Sequence, residues 1–203
     1  MPSRRRRKRE SPGLQSEAPQ TKTPRTIYRG KIAAGAAEGQ QLASPPDFTV
    51  YSDGACLGNP GPAGYAWVMD GADGRKTAAF GLRHSTNNRA ELWAVIDALT
   101  RTPQGCSVCV FSDSEYVTKG AIWAQGWRAR GWRLKTTGQT PKNVDLWRSL
   151  VALTDARIVS FVWLKGHAGH PENELADSLA QDACGFPYEN RFPDLEEPKG
   201  VRL

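Results

Sequence analysis

From Phe48 onward the chain falls into short runs of bulky apolar positions punctuated by glycine, proline and asparagine, whereas the residues before it show no sustained periodicity. Phe48-Thr49-Val50-Tyr51-Ser52-Asp53 alternates as a strand does and ends on a carboxylate. The turn Gly58-Asn59-Pro60-Gly61-Pro62 breaks that run, and Gly64-Tyr65-Ala66-Trp67-Val68-Met69 resumes as a second strand. Gly71-Ala72-Asp73-Gly74 supplies a hairpin turn to a third strand around 76–82, so these three strands are expected to be antiparallel. Polar Ser85-Thr86-Asn87-Asn88 can cap a helix running to about residue 102, whose apolar stripe is Leu92, Val95, Ile96 and Leu99 with Glu91 beside it. A fourth strand over 108–112 stops at Asp113. Helices are predicted over 114–130 and 143–154, a fifth strand over 158–163, and a last helix over 172–183. Strand followed by helix twice in the second half requires crossovers. The expected architecture is α/β, with a five-stranded mixed sheet, three antiparallel strands then two parallel, flanked by helices.

Length and composition bound this picture. At 203 residues there is room for one catalytic-sized domain plus tails. Residues 1–46 are rich in Pro, Gln, Ala, Gly and Ser, with Tyr28 their one aromatic, and read as a disordered basic tail and linker. The domain is expected over 47–184, followed by an irregular C-terminal extension over 185–203. No apolar run is long enough to span a bilayer, and the arginine-rich start is not followed by an apolar stretch, so a cytoplasmic protein without a membrane partner is expected; a monomer is the expectation for its assembly. Cys106 and Cys109 form a lone CxxC with no second pair or nearby histidines, and Cys109 lies in an apolar run; a buried strand thiol is the reading, not zinc or redox chemistry.

The net charge of +6 is unevenly placed. Residues 1–46 hold 10 Lys/Arg against 3 Asp/Glu, and the remaining residues 17 against 18. Within that remainder, 119–148 hold 7 basic residues and a single acid, Asp145. A basic strip beside an otherwise acidic domain suits a polyanion on one surface and a cation at another.

The acids that stand out are Asp53, Glu91, Asp113 and Asp177, each in a short polar motif at the edge of an apolar segment. Ligands of open α/β sheets bind beyond the strand ends, where Asp53 and Asp113 are expected to lie side by side if their strands are neighbours. Close carboxylates repel unless they share a proton or a cation, and hard divalent cations take oxygen ligands. With Glu91 and Asp177 added, the oxygen count suffices for two Mg²⁺.

The motifs around these acids resemble those of type 1 ribonuclease H of the bacterial style. They are Ser52-Asp53-Gly54-Ala55-Cys56-Leu57-Gly58-Asn59-Pro60-Gly61-Pro62, Thr86-Asn87-Asn88-Arg89-Ala90-Glu91, Ser112-Asp113-Ser114-Glu115-Tyr116-Val117, Pro141-Lys142-Asn143-Val144-Asp145-Leu146-Trp147, and Trp163-Leu164-Lys165-Gly166-His167-Ala168-Gly169-His170-Pro171-Glu172-Asn173-Glu174 with Asp177. The resemblance implies a ribonuclease H-like fold and an endoribonuclease that hydrolyses the RNA strand of an RNA/DNA hybrid with two Mg²⁺, Mn²⁺ being a substitute, leaving 5′-phosphate and 3′-hydroxyl ends. It makes Asp53, Glu91, Asp113 and Asp177 the metal ligands, and matches the family's loop histidine to His167, not His170. It places Cys56, Asn59, Asn87, Asn88 and Glu115 in the minor groove of the hybrid and Thr86 beside a DNA phosphate. Glu115 departs from the amide the family often carries there. The interleaved Trp123, Trp127, Arg128, Arg130, Arg133 and Lys135 match the family's basic protrusion, which holds the DNA strand, while rings such as Trp123, Trp127 and Trp132 also suit packing of a small helical protrusion. The roles implied are primer removal and R-loop clearance. Two other classes are weighed: a hybrid-binding module without catalysis has no use for four mutually repelling acids, and a resolvase or integrase lacks the Gly-Asn-Pro-Gly-Pro turn and the Gly-His-Ala-Gly-His loop.

Overall fold

The computed structural model of the protein describes residues 45–184. The expected basic tail thus lies almost wholly, and the 185–203 extension wholly, outside the described residues. Five strands, β1 (Phe48–Cys56), β2 (Gly61–Gly71), β3 (Gly74–Ser85), β4 (Ser107–Ser112) and β5 (Ile158–Trp163), form one sheet in the order β3-β2-β1-β4-β5. β1/β2 and β2/β3 pair antiparallel, β1/β4 and β4/β5 parallel. This is the mixed sheet that the turns predicted. The hairpin closes through Gly71↔Gly74 with Ala72-Asp73 at its tip, and Gly74 takes a φ of +93°, which a side chain would resist. β3 is longer than expected on both sides of 76–82, because backbone pairing with β2 continues past the apolar stretch.

The helices are α1 (Asn87–Thr100), α2 (Glu115–Ala129), α3 (Val144–Asp155) and α4 (Pro171–Ala183). α1 to α3 enclose the main core with Tyr65, Trp67 and Met69 from β2, Val50 from β1, and Val108 and Val110 from β4. The alternate residues Ala66 and Ala79 meet Ala180 and Ala183 of α4 on the opposite face. Covering both faces explains why β2 is continuously buried from Ala63 to Met69; small side chains on one side let α4 lie close.

α1 differs from the amphipathic stripe that its sequence suggests. Every residue from Leu92 to Leu99 is buried, since α1 is held between the sheet and its neighbouring helices. Asp97 is therefore inside, where it accepts from Trp67 Nε1 at 2.7 Å and pairs with Arg101. At the N-terminus of α1, Thr86 is the capping residue but its hydroxyl makes no cap bond. Asn59 of the β1/β2 turn instead accepts the Asn87 N–H at 3.1 Å, so a distant loop satisfies the orphan donor. Helices α1 and α3 are tied by Arg89, whose guanidinium bonds both carboxylate oxygens of Asp145 at 3.0 and 2.7 Å.

Candidate active site

The last β1/β4 register pair is Tyr51↔Phe111, and two residues beyond it on each strand come Asp53 and Asp113. Parallel neighbours thus deliver two carboxylates to one edge of the sheet. Asp53 does not end its strand as expected; pairing with β2 carries β1 on to Cys56↔Ala63, which fixes the Asp53 backbone from one side. Gly54 brings in the third acid. A Cβ there would stand 2.3 Å from the Glu91 backbone nitrogen, so only glycine lets the first turn of α1 press onto β1 and set Glu91 beside Asp53. Asp177 comes from the middle of α4, anchored by Ala176 and Ala180. After β5 the chain passes so close that a Cβ on Gly166 would lie 2.6 Å from Asp113 Oδ2. Trp163 Nε1 donates to the Asp113 carbonyl at 2.8 Å and fixes that stretch of backbone.

The electrostatics show an acidic site short of positive charge. Burial, then repulsion from Asp113, Asp177 and Glu91, pushes Asp53 up to about 8 in spite of the Gly54 N–H that it accepts at 2.7 Å. Glu91 is pushed up to about 7 by burial and by Asp113, against hydrogen bonds from Ser114 Oγ at 2.5 Å and Asn87 Nδ2 at 2.8 Å. Among the described residues, none of the four acids is paired with lysine or arginine. Asp177 accepts from Gln181 Nε2 at 2.6 Å, and its other oxygen lies 3.9 Å from His167 Nδ1. As they stand, the side chains do not close into a coordination sphere: among the described residues no three His, Cys, Asp or Glu are set as a ready metal-holding group. The donor set fits a hard divalent cation all the same, because it is all oxygen and because burial and mutual repulsion oppose ionisation of two of its members, a cost that a bound cation would offset.

The remaining expected residues divide between a polar rim and the protrusion. Asn59, Asn87 and Glu91 are linked by the bonds given above, and Asn88 is exposed next to them. Cys56 closes the far end of β1 with its thiol 3.4 Å from the Ser85 carbonyl. Glu115 opens α2, exposed and paired with Lys119 at 2.7 Å. His167 sits in the β5–α4 loop with a φ of +51° and a side chain 79% exposed, while His170 is the residue preceding α4. In the protrusion, Trp127 packs edge-on against Trp147 at 5.5 Å and serves the fold, whereas Trp123 is 55% exposed. Arg128 is ion-paired with Asp155 of α3. Arg130, Arg133 and Lys135 are exposed, the first two steadied by backbone carbonyls of residues 133 and 138.

Sequence reasoning missed two contributors. Ser114 accepts the Val117 N–H as the cap of α2 while donating to Glu91, so one hydroxyl starts a helix and orients an acid. Its signal was the serine directly after Asp113 at a helix start. Gly166 has the close approach just described; its signal was the small residue between the fifth strand and His167.

The family model described as RNase H matches residues 45–185, the stretch that carries all four acids. The ribonuclease H of Bradyrhizobium diazoefficiens is 48% identical over 143 residues, which make up 70% of this chain and 92% of that relative. The crystal structure of LC9-RNase H1, a type 1 RNase H with the type 2 active-site motif, matches with a TM-score of 0.63 and 31% identity over 73% of this chain and 76% of that one. A further crystal structure, LC11-RNase H1 in complex with RNA/DNA hybrid, shares the fold at a TM-score of 0.50 and 24% identity, covering 68% of this chain and 96% of that one. The sheet order, the motif order and the extent of these matches agree, and the chain belongs to the ribonuclease H family of enzymes.

Proposed function

We propose that this enzyme hydrolyses the RNA strand of RNA/DNA hybrids with two Mg²⁺, or Mn²⁺ in their place, and leaves 5′-phosphate and 3′-hydroxyl ends. The observation that carries the reading is the buried Asp53 of β1, repelled by Glu91 of α1, Asp113 at the end of β4 and Asp177 of α4, with no Lys or Arg paired to any of the four among the described residues. Asp53, the most buried of them, would be shared between the ions, Glu91 and Asp113 would complete one shell, and Asp177 would serve the other. Bound there, the ions supply Lewis-acid charge at the attacking and leaving oxygens of the phosphodiester.

The protein's own groups account for the rest. Asp53 and Glu91 must be ionised to act as ligands; burial and repulsion raise them to about 8 and about 7, so holding a cation would require them to give up protons. His167, exposed on its loop near Asp177, would take up or return a proton at the leaving oxygen. Asn59, Asn87 and Asn88 suit the shallow minor groove of a partly A-form hybrid, where 2′-hydroxyls mark the RNA strand. Arg130, Arg133 and Lys135 supply sequence-independent contacts to DNA phosphates. That LC11-RNase H1 was solved with a hybrid supports this choice of substrate. Primer removal and R-loop clearance by a monomer in the cytoplasm are the roles that suit such an activity.

The experiment is cleavage of labelled RNA/DNA hybrid, double-stranded RNA and double-stranded DNA in Mg²⁺. Cutting confined to the RNA of the hybrid is expected. Equal cutting of double-stranded RNA would overturn the substrate assignment.

A further inference from the structure

One residue on the rim has chemistry unlike its neighbours. The Asn87 N–H donates to Asn59, the Asn87 side-chain amide donates to Glu91, and the Ser114 hydroxyl donates to the other Glu91 oxygen, which makes these residues a continuous edge of the site. Glu115 is the next residue, two positions from Asp113, and its side chain is 61% exposed. As the first residue of α2 it is stabilised by the helix N-terminus and held by Lys119. That pair is itself exposed and so costs little to part.

An amide on such a rim donates and accepts, and meets any base edge. A carboxylate only accepts. The minor-groove edges of all base pairs present acceptors, and guanine alone adds a donor, its N2 amino group. An acceptor-only side chain therefore faces repulsion from A·T and A·U pairs and gains a hydrogen bond from a guanine. Lys119 offsets the charge that Glu115 brings near the phosphates.

We infer that Glu115 makes cleavage depend on sequence, favouring sites that place a guanine at the base pair under the start of α2. The inference rests on the reading that a hybrid lies across the carboxylates. It differs from a 2′-hydroxyl contact, which would also satisfy the carboxylate but would be blind to the base.

The test maps every cut made by the wild-type enzyme and by Glu115→Gln in a random-sequence hybrid pool with Mg²⁺. The wild type is expected to show guanine enriched about tenfold at one fixed distance from the cut, as a hydrogen bond to a charged acceptor would give, and Glu115→Gln to flatten that position alone. As a second measurement, inosine or deoxyinosine in place of that guanine removes only the N2 amino group and should lower wild-type cutting at the site by a similar factor. No enrichment, enrichment that persists in Glu115→Gln, or indifference to inosine overturns the inference while leaving hybrid cleavage intact. No cutting of any hybrid by the wild type would overturn the underlying reading as well.

Discussion

Replacing Asp53 by asparagine removes the acid whose ionisation the fold opposes most. Asp53 is 8% exposed, and its ordinary value of 3.8 is raised to about 8. At about 1.4 kcal/mol per pH unit, that rise corresponds to roughly 5 to 6 kcal/mol withheld from folding once the carboxylate is ionised. Relaxation and water entry around the ionised carboxylate relieve part of that cost in the wild type, so the expected gain is about 2 to 3 kcal/mol. The sign follows from linkage. A raised folded value means that the native state holds its proton longer than the unfolded chain; wild-type stability is fully present below about 4 and is lost as pH rises through about 8. Asp53→Asn should therefore unfold at nearly the wild-type temperature near pH 4 and about 6 to 12 °C higher near pH 9, measured by circular dichroism in EDTA. Asparagine keeps an acceptor for the Gly54 N–H, so no other bond is sacrificed. Adding Mg²⁺ at ten times its dissociation constant should return about 1.4 kcal/mol to the wild type and little to the variant. A variant less stable than wild type at pH 9, or a difference that does not vary with pH, would refute the claim that Asp53 is an unneutralised buried acid.

Three further outcomes follow from neighbouring residues. Ser114→Ala should cost about 1 kcal/mol in urea unfolding through the lost cap of α2, and should move the acid limb of the pH–rate profile upward, because the hydroxyl that lowers Glu91 is gone. An unmoved limb would remove Ser114 from the site. Gly166→Ala sets a methyl group 2.6 Å from Asp113 Oδ2, so hybrid cleavage should fall while the unfolding temperature changes little; normal turnover would show that the loop yields. Trp127→Ala should destabilise the protein by roughly 3 kcal/mol through its contact with Trp147, whereas Trp123→Ala should leave stability within about 0.5 kcal/mol and weaken hybrid binding in a filter assay. Equal loss of stability in both would assign both rings to the fold.

The sheet was legible because its first three strands are separated by turns with strong local chemistry, and because strand–helix alternation demands parallel crossovers. The four acids stood out as candidates because each sits where an apolar run meets a polar motif, although Asp53 lies within β1 and Asp177 in the middle of α4. The lengths of β1 and β3 were less legible, since both are set by pairing with β2 and not by their own side chains. Partnerships across the chain were not legible at all. Nothing local indicates that Asn59 caps α1, that Ser114 reaches Glu91, that Asp97 is buried against Trp67 and Arg101, or that Arg128 turns to Asp155. Each depends on residues brought together by packing, and each bears on how the site is held.

The most direct test of the central claim is end-group analysis of cuts in a hybrid whose RNA strand is labelled, run with Mg²⁺, with EDTA, and with Asp53→Asn. The wild type in Mg²⁺ should leave 5′-phosphate and 3′-hydroxyl RNA ends, with none in EDTA and none with the variant, although it still binds hybrid. Cleavage that survives in Asp53→Asn or in EDTA, or RNA ends bearing a 2′,3′-cyclic phosphate, would contradict that claim.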